Sequence, residues 1–147
     1  MEKIKIPIVN CSQNDLPSYA TAGAAGMDIR AALNATIVLK PFERKLIETG
    51  LFIELPDNYE AQIRPRSGLA VKQGLTCLNS PGTIDSDYRG EIKVLLINLS
   101  NEDQEIYNGD RIAQMVISKI DKAELILVQQ LNITERGSGG FGHTGKQ

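Results

Sequence analysis

An all-β barrel or sandwich is the fold class this 147-residue sequence predicts. Three observations carry the prediction. Apolar residues alternate with polar ones or form short continuous runs, and helical periodicity is nearly absent. Turn residues punctuate these runs at short intervals. No internal repeat and no linker divides the chain, whose length matches the soft prior of roughly 150 residues for one domain.

Each element has its own signal. Ile4, Ile6 and Ile8 alternate with Lys3, Lys5 and Pro7. That predicts a half-buried strand, and Pro7 places it at a sheet edge. Thr36–Leu39 and Lys45–Leu55 carry β-branched and aromatic residues on either side of Lys40-Pro41-Phe42-Glu43. Pro56-Asp57-Asn58 marks a turn, after which Tyr59, Ala61 and Ile63 alternate with Glu60, Gln62 and Arg64. Ser67 reads as the N-cap of a short helix over Gly68–Gln73, with Gly74 ending it. Ile92–Leu99 is a continuous apolar run, expected of a strand buried on both faces. Asn108-Gly109-Asp110 is a turn between Gln104–Tyr107 and Arg111–Ile120. Ala123–Leu131 is open between short helix and strand, and Ile126, Leu127 and Val128 favour strand.

Composition removes whole classes of function. One histidine, His143, excludes a His-rich metal cage. Cys11 and Cys77 form no paired-ligand motif and read as reduced thiols of a cytoplasmic protein. A net charge of −2 disfavours broad binding to nucleic acid or an anionic membrane. No apolar run is long enough to span a bilayer, and MEKIKIPIVN lacks a leader's apolar core. Glycine is unevenly spread: five of 13 fall in the last eleven residues.

Four constellations could carry chemistry. In Arg64-Pro65-Arg66-Ser67-Gly68, a forked guanidinium precedes a helix start with free backbone N–H groups, a combination that suits phosphate. An Arg salt bridge beside an ordinary capped helix explains the same residues. Gly82 to Glu91 reads as a hairpin with an acidic, Tyr-bearing edge. Its Asp85 and Asp87 are candidate bases, although such residues often only bond their own turn. Arg136 to Gly145 satisfies G-x-G-x-x-G at Gly137, Gly139 and Gly142, but too few residues follow to build a βαβ unit. A flexible arm that orders over a ligand fits better. Gln114 lies in the apolar run of Arg111–Ile120 and needs a hydrogen-bond partner if buried.

Taken together, five segments in order resemble the homotrimeric deoxyuridine triphosphatases. They are Ala25–Ala31, Pro65–Ala70, Gly82–Glu91, Arg111–Met115 and Arg136–Gly145. The resemblance implies a distorted jelly-roll or β-barrel with one short helix, residues 1–135, and a Gly-rich arm, 136–147, exchanged between subunits. It implies hydrolysis of dUTP to dUMP and pyrophosphate, which limits uracil in DNA and supplies dUMP. Three sites would be shared among three chains, with Mg²⁺ held mainly by the triphosphate.

Residue roles follow from the resemblance alone. Asp85 corresponds to the base that activates water, and Asp28 to an acid that meets the metal through water. Arg66, Ser67, Gly68 and Gln114 correspond to phosphate contacts. Asn79 and the backbone of Thr83, Ile84 and Asp85 fall where uracil is read, and Tyr88 beneath deoxyribose. Lys93 falls at a backbone contact. Arg136, Ser138, His143 and Thr144 belong to the closing arm, with Phe141 over uracil. Two alternatives stay open: a dCTP deaminase of the same fold, told apart by ammonia release, and a trimeric nucleotide-binding signalling module.

Overall fold

The computed structural model describes residues 2–147. Eleven strands and one helix follow one another. They are β1 (Ile8–Asn10), β2 (Gly26–Arg30), β3 (Ile37–Leu39), β4 (Arg44–Glu48), β5 (Leu51–Ile53), β6 (Tyr59–Arg64), α1 (Ser67–Gln73), β7 (Leu75–Cys77), β8 (Gly82–Ile84), β9 (Lys93–Asn98), β10 (Gln104–Ile106) and β11 (Arg111–Lys119). All pairings are antiparallel. The strands form four jelly-roll-like sheets rather than one closed barrel: β2-β11-β6-β8, β4-β9-β7, β1-β5 and β10-β3.

The core is aliphatic. Ile29, Ala61, Ile63 and Met115 come from the four-stranded sheet; Ile47, Leu75, Val94 and Leu96 come from the three-stranded one. Tyr88 and Phe141 are both exposed, so neither ring contributes to that core. Cys77 is buried, and loss of hydration pushes its thiol up to about 11, so it stays protonated and inert. Thr49 and Asn98 are buried polar residues, and each side-chain group of Asn98 is used. Its Nδ2 donates to the carbonyls of Leu39 and Glu102, while Oδ1 accepts from the amide and hydroxyl of Ser100.

Several expectations need correction. The first strand begins at Ile8; Ile4 and Ile6 precede it. Lys45–Leu55 is two strands, broken at Thr49-Gly50, where Gly50 takes a φ of +70°. Gly82–Glu91 is not a hairpin. Here β8 pairs with β6, while β9 pairs with β4 and β7, so the segment crosses from one sheet to another. The short strands β2 and β7 carry no sequence signal of their own, since three to five residues are too few to show a period.

Helix α1 starts one residue earlier than expected. Arg66, not Ser67, is its N-cap, extended at φ −96° and ψ 128°, with no side-chain cap. The end is as expected: Gly74 is left-handed at φ 65° and returns its N–H toward Ala70 and Leu69. Finally, Ala123–Leu131 is neither strand nor helix. It runs exposed away from β11, with Leu125 92% and Leu127 100% accessible.

Candidate active site

The best-built cluster lies where β2, β11 and the end of β6 meet. In register, Asp28 of β2 stands opposite Gln114 of β11, and Gln114 opposite Arg64 of β6. Two residues beyond, Arg66 turns back toward Asp28 and donates from Nε to Oδ1 at 3.0 Å. The ladder slips between Arg111 and Ala113, and Arg111 Nη1 reaches the other carboxylate oxygen at 3.4 Å. Arg66 Nη1 also donates to the Arg111 carbonyl at 3.2 Å. One carboxylate thus aligns two guanidinium groups and leaves a surplus of one positive charge. All three side chains keep partial exposure, at 25% for Arg66, 33% for Asp28 and 51% for Arg111. A charged pair half open to water is weak as a stabiliser and well placed as a recognition element.

Gln114 resolves its polar position by donating Nε2 to the Pro65 carbonyl at 3.1 Å, which fixes the backbone just before Arg66. Ser67 and Gly68 are exposed at the start of α1. Without a side-chain cap, the first-turn N–H groups of α1 have no side-chain acceptor. A Cβ on Gly68 would point into open space, so an anion can approach the backbone there. An open groove of about 480 Å³ runs beside this cluster, lined by Gln62, Arg64, Pro65, Ser80, Pro81 and Gln114.

The second group of candidate residues lies elsewhere in the chain. Asn79 lays its amide over Gly82, where a Cβ would come within 3.2 Å of Nδ2. Thr83 is exposed, and the Ile84 side chain is core, so only the backbone of Ile84 can serve a ligand. Asp85 is exposed and begins a turn in which Tyr88 N donates to the Asp85 carbonyl at 3.2 Å. Tyr88 is 44% exposed and its hydroxyl donates to the Glu91 carbonyl at 2.8 Å. Lys93 is exposed at the start of β9 and pairs in register with Glu48.

These two groups do not meet within one chain. Ile84 is level with Ala61, so Asp85 follows level with Glu60, four residues from the row of Arg64, Gln114 and Asp28. Strand β8 is also three strands from β2. At ordinary strand rise and spacing, the Asp28 and Asp85 backbones are about 20 Å apart.

The arm forms a third group. Arg136 Nε donates to the Gly139 carbonyl, and the turns at 137–145 bond only to residues 134–142. Arg136, Ser138, His143 and Thr144 are exposed, and Phe141 is fully so. The arm therefore covers neither the arginine cluster nor Asp85 of its own chain.

Sequence reading missed Arg111 as a site residue. The available signal was a second arginine beside Gln114, but only the folded register shows that it shares Asp28 with Arg66.

Two arginines aligned on one carboxylate beside an uncapped helix start, on an antiparallel β framework, form a donor set whose geometry suits phosphate oxygens. The comparisons make this specific. A dUTPase family model matches residues 12–145. The chain is 61% identical over 141 residues to the deoxyuridine 5'-triphosphate nucleotidohydrolase of Cytophaga hutchinsonii, covering 96% of this chain and 92% of that one. A variant of the Staphylococcus bacteriophage 80alpha dUTPase, solved with dUpNHpp, superposes at a TM-score of 0.85 with 27% identity, covering 97% of this chain and 99% of that one. A variant dUTPase of the S. aureus phage phi11, whose structure concerns the coordination of a structural Mg(II) ion, superposes at 0.77 with 25% identity, covering 88% and 100%. The chain belongs to the dUTPase family.

Proposed function

We propose that this protein hydrolyses dUTP to dUMP and pyrophosphate as a homotrimer whose sites are shared between subunits. Family membership supplies the reaction. The single structural observation that carries the shared site is the separation of Asp85 from the Asp28–Arg66–Arg111 cluster within one chain. A second observation agrees with it. The isolated chain exposes 10,931 Å², against roughly 7,400 Å² for a folded monomer of this mass. An excess of that order matches the area buried in obligate oligomers. Much of it lies on the tail, where Leu125, Leu127 and Ile133 stand free.

In this reading, Arg66, Arg111, Ser67, Gly68 and Gln114 of one subunit hold the phosphates. Asp85 of another takes a proton from water as its oxygen bonds to the α-phosphorus. The bond from the α-phosphorus to the bridging oxygen breaks, and pyrophosphate leaves. Asn79 and the backbone of Thr83, Ile84 and Asp85 read uracil, rejecting cytosine by a mismatched donor and thymine by overlap. Tyr88 packs beneath deoxyribose, and Lys93 offers a backbone contact. Residues 1–135 form the body. Residues 136–147 form an arm that closes from a neighbouring subunit, with Arg136, Ser138, His143 and Thr144 on the phosphates and Phe141 over uracil.

The donor set fits Mg²⁺ brought in with the substrate. Among the described residues no cluster of three or more His, Cys, Asp or Glu forms. Mg²⁺ keeps its waters and takes few carboxylates, relying on substrate phosphates. Asp28 spends one bond per oxygen on arginine and retains lone pairs for a metal-bound water. With Asp28 meeting it through water, Mg²⁺ would supply neutralisation of the charge on the leaving pyrophosphate. Unpaired thiols at Cys11 and Cys77 support a cytoplasmic setting. Among the described residues no helix is long and apolar enough to cross a membrane.

A pyrophosphate-release panel across dUTP, dCTP, dTTP and UTP, with and without Mg²⁺, tests the activity. Release is expected from dUTP with Mg²⁺, with the other nucleotides far slower; ammonia from dCTP would instead reveal the deaminase. Subunit sharing has its own test. Asp85→Asn and Arg66→Ala proteins, each inactive, regain activity when unfolded together and reassembled, because mixed trimers recreate sites with both residues intact. Mixtures as inactive as their parents, or a monomer by light scattering, would remove the shared-site reading.

A further inference from the structure

We infer that Gly90 and Glu91 seat the Tyr88 ring, and so set the discrimination between deoxyribose and ribose. This rests on the dUTP reading above and extends it to two residues with no role in the chemistry.

The segment from Asp85 to Glu91 crosses between two sheets, and most of it is exposed. Such a loop needs anchors if one of its rings is to measure a sugar. Its far end is fastened three times to the β4–β5 corner. Ile92 N donates to the Leu51 carbonyl at 2.8 Å. Thr49, fully buried, donates its hydroxyl to the Ile92 carbonyl. The Glu91 carboxylate receives two backbone N–H groups on one oxygen, from Thr49 and Gly50, each at 3.1 Å. A carboxylate accepting from two amides is a charge-assisted clamp, and it fixes the Glu91 backbone. That backbone carbonyl is the group that takes the Tyr88 hydroxyl at 2.8 Å. Inside the loop, Arg89 Nη1 braces the Ser86 carbonyl at 2.7 Å.

Gly90 completes the seat. A Cβ there would lie 2.4 Å from Tyr88 Oη, 2.6 Å from Cζ and 2.9 Å from Cε2. The ring rests on the Gly90 backbone and is held at its tip by Glu91. Gly90 has no left-handed φ, so alanine meets no backbone strain. The collision falls on the far end of a side chain, which can swing aside. Gly90→Ala therefore moves the ring and spares the fold. A displaced ring opens the space beneath C2′ that a ribose hydroxyl needs.

The test compares kcat/KM for dUTP and UTP in the full-length enzyme, with a thermal melt for each variant. Gly90→Ala is expected to lower the dUTP-to-UTP ratio about tenfold, a typical worth for one small group in a pocket. Tm should hold. Glu91→Ala lowers the ratio similarly, and Glu91→Gln restores most of it, because its amide oxygen accepts the same two N–H groups. A merely structural residue would lower turnover of both nucleotides together and leave the ratio alone. If the wild type prefers dUTP and both Gly90→Ala and Glu91→Ala keep its ratio, the seating role is overturned while the dUTP reading stands. A wild type without preference overturns both.

Discussion

Asp85→Asn is expected to reduce dUTP turnover by about 10³-fold, within the range a positioned general base contributes. The substitution keeps the shape of an exposed side chain and removes its ability to take a proton. Binding of dUpNHpp, measured by calorimetry, should change little, because the proposed phosphate contacts are made by Arg66 and its neighbours and not by Asp85. Single-turnover kinetics decides the matter. A variant that hydrolyses within tenfold of the wild type would show that another group takes the proton.

The second large effect concerns the arm. A chain ending at Glu135 should lose about 10²-fold or more in kcat/KM, the penalty expected when substrate is no longer held in line or shielded from water. Its melting temperature and circular dichroism should match the full chain. The removed residues include no core side chain, and their hydrogen bonds run among themselves and to Thr134. Full activity in the shortened protein would end the lid assignment. A collapsed melt would instead give the arm a structural role.

Much of the body was legible in order along the chain. Alternation at Tyr59–Arg64 and the apolar run near Lys93–Asn98 each predicted a real strand. The reason is local: one face or both must be buried, and the side-chain period records which. Gly74 ended the helix for an equally local reason, since its backbone angles favour glycine. Errors gathered where the answer depends on a distant partner. Gly82–Glu91 has hairpin chemistry, yet β6 lies free beside β8 and takes the pairing. Ser67 has cap chemistry, but Arg66 already occupies the extended position before the first helical bond. The pattern at Ala123–Leu131 is that of a strand with something to pack on; nothing in its own chain supplies it.

The sequence by itself determined the all-β class, the chemical groups available and their order in five segments. Those properties are set by residue type and short-range period. Only the tertiary structure decided which groups stand together. It joined Arg66 and Arg111 on Asp28, fastened Glu91 to Thr49 and Gly50, and kept Asp85 far from the arginines of its own chain. The physical reason is that ion pairs and clamps form between residues 38 to 83 positions apart. Strand pairing brings such residues together, and the alternation within one strand fixes which face it buries, not which distant strand it pairs with.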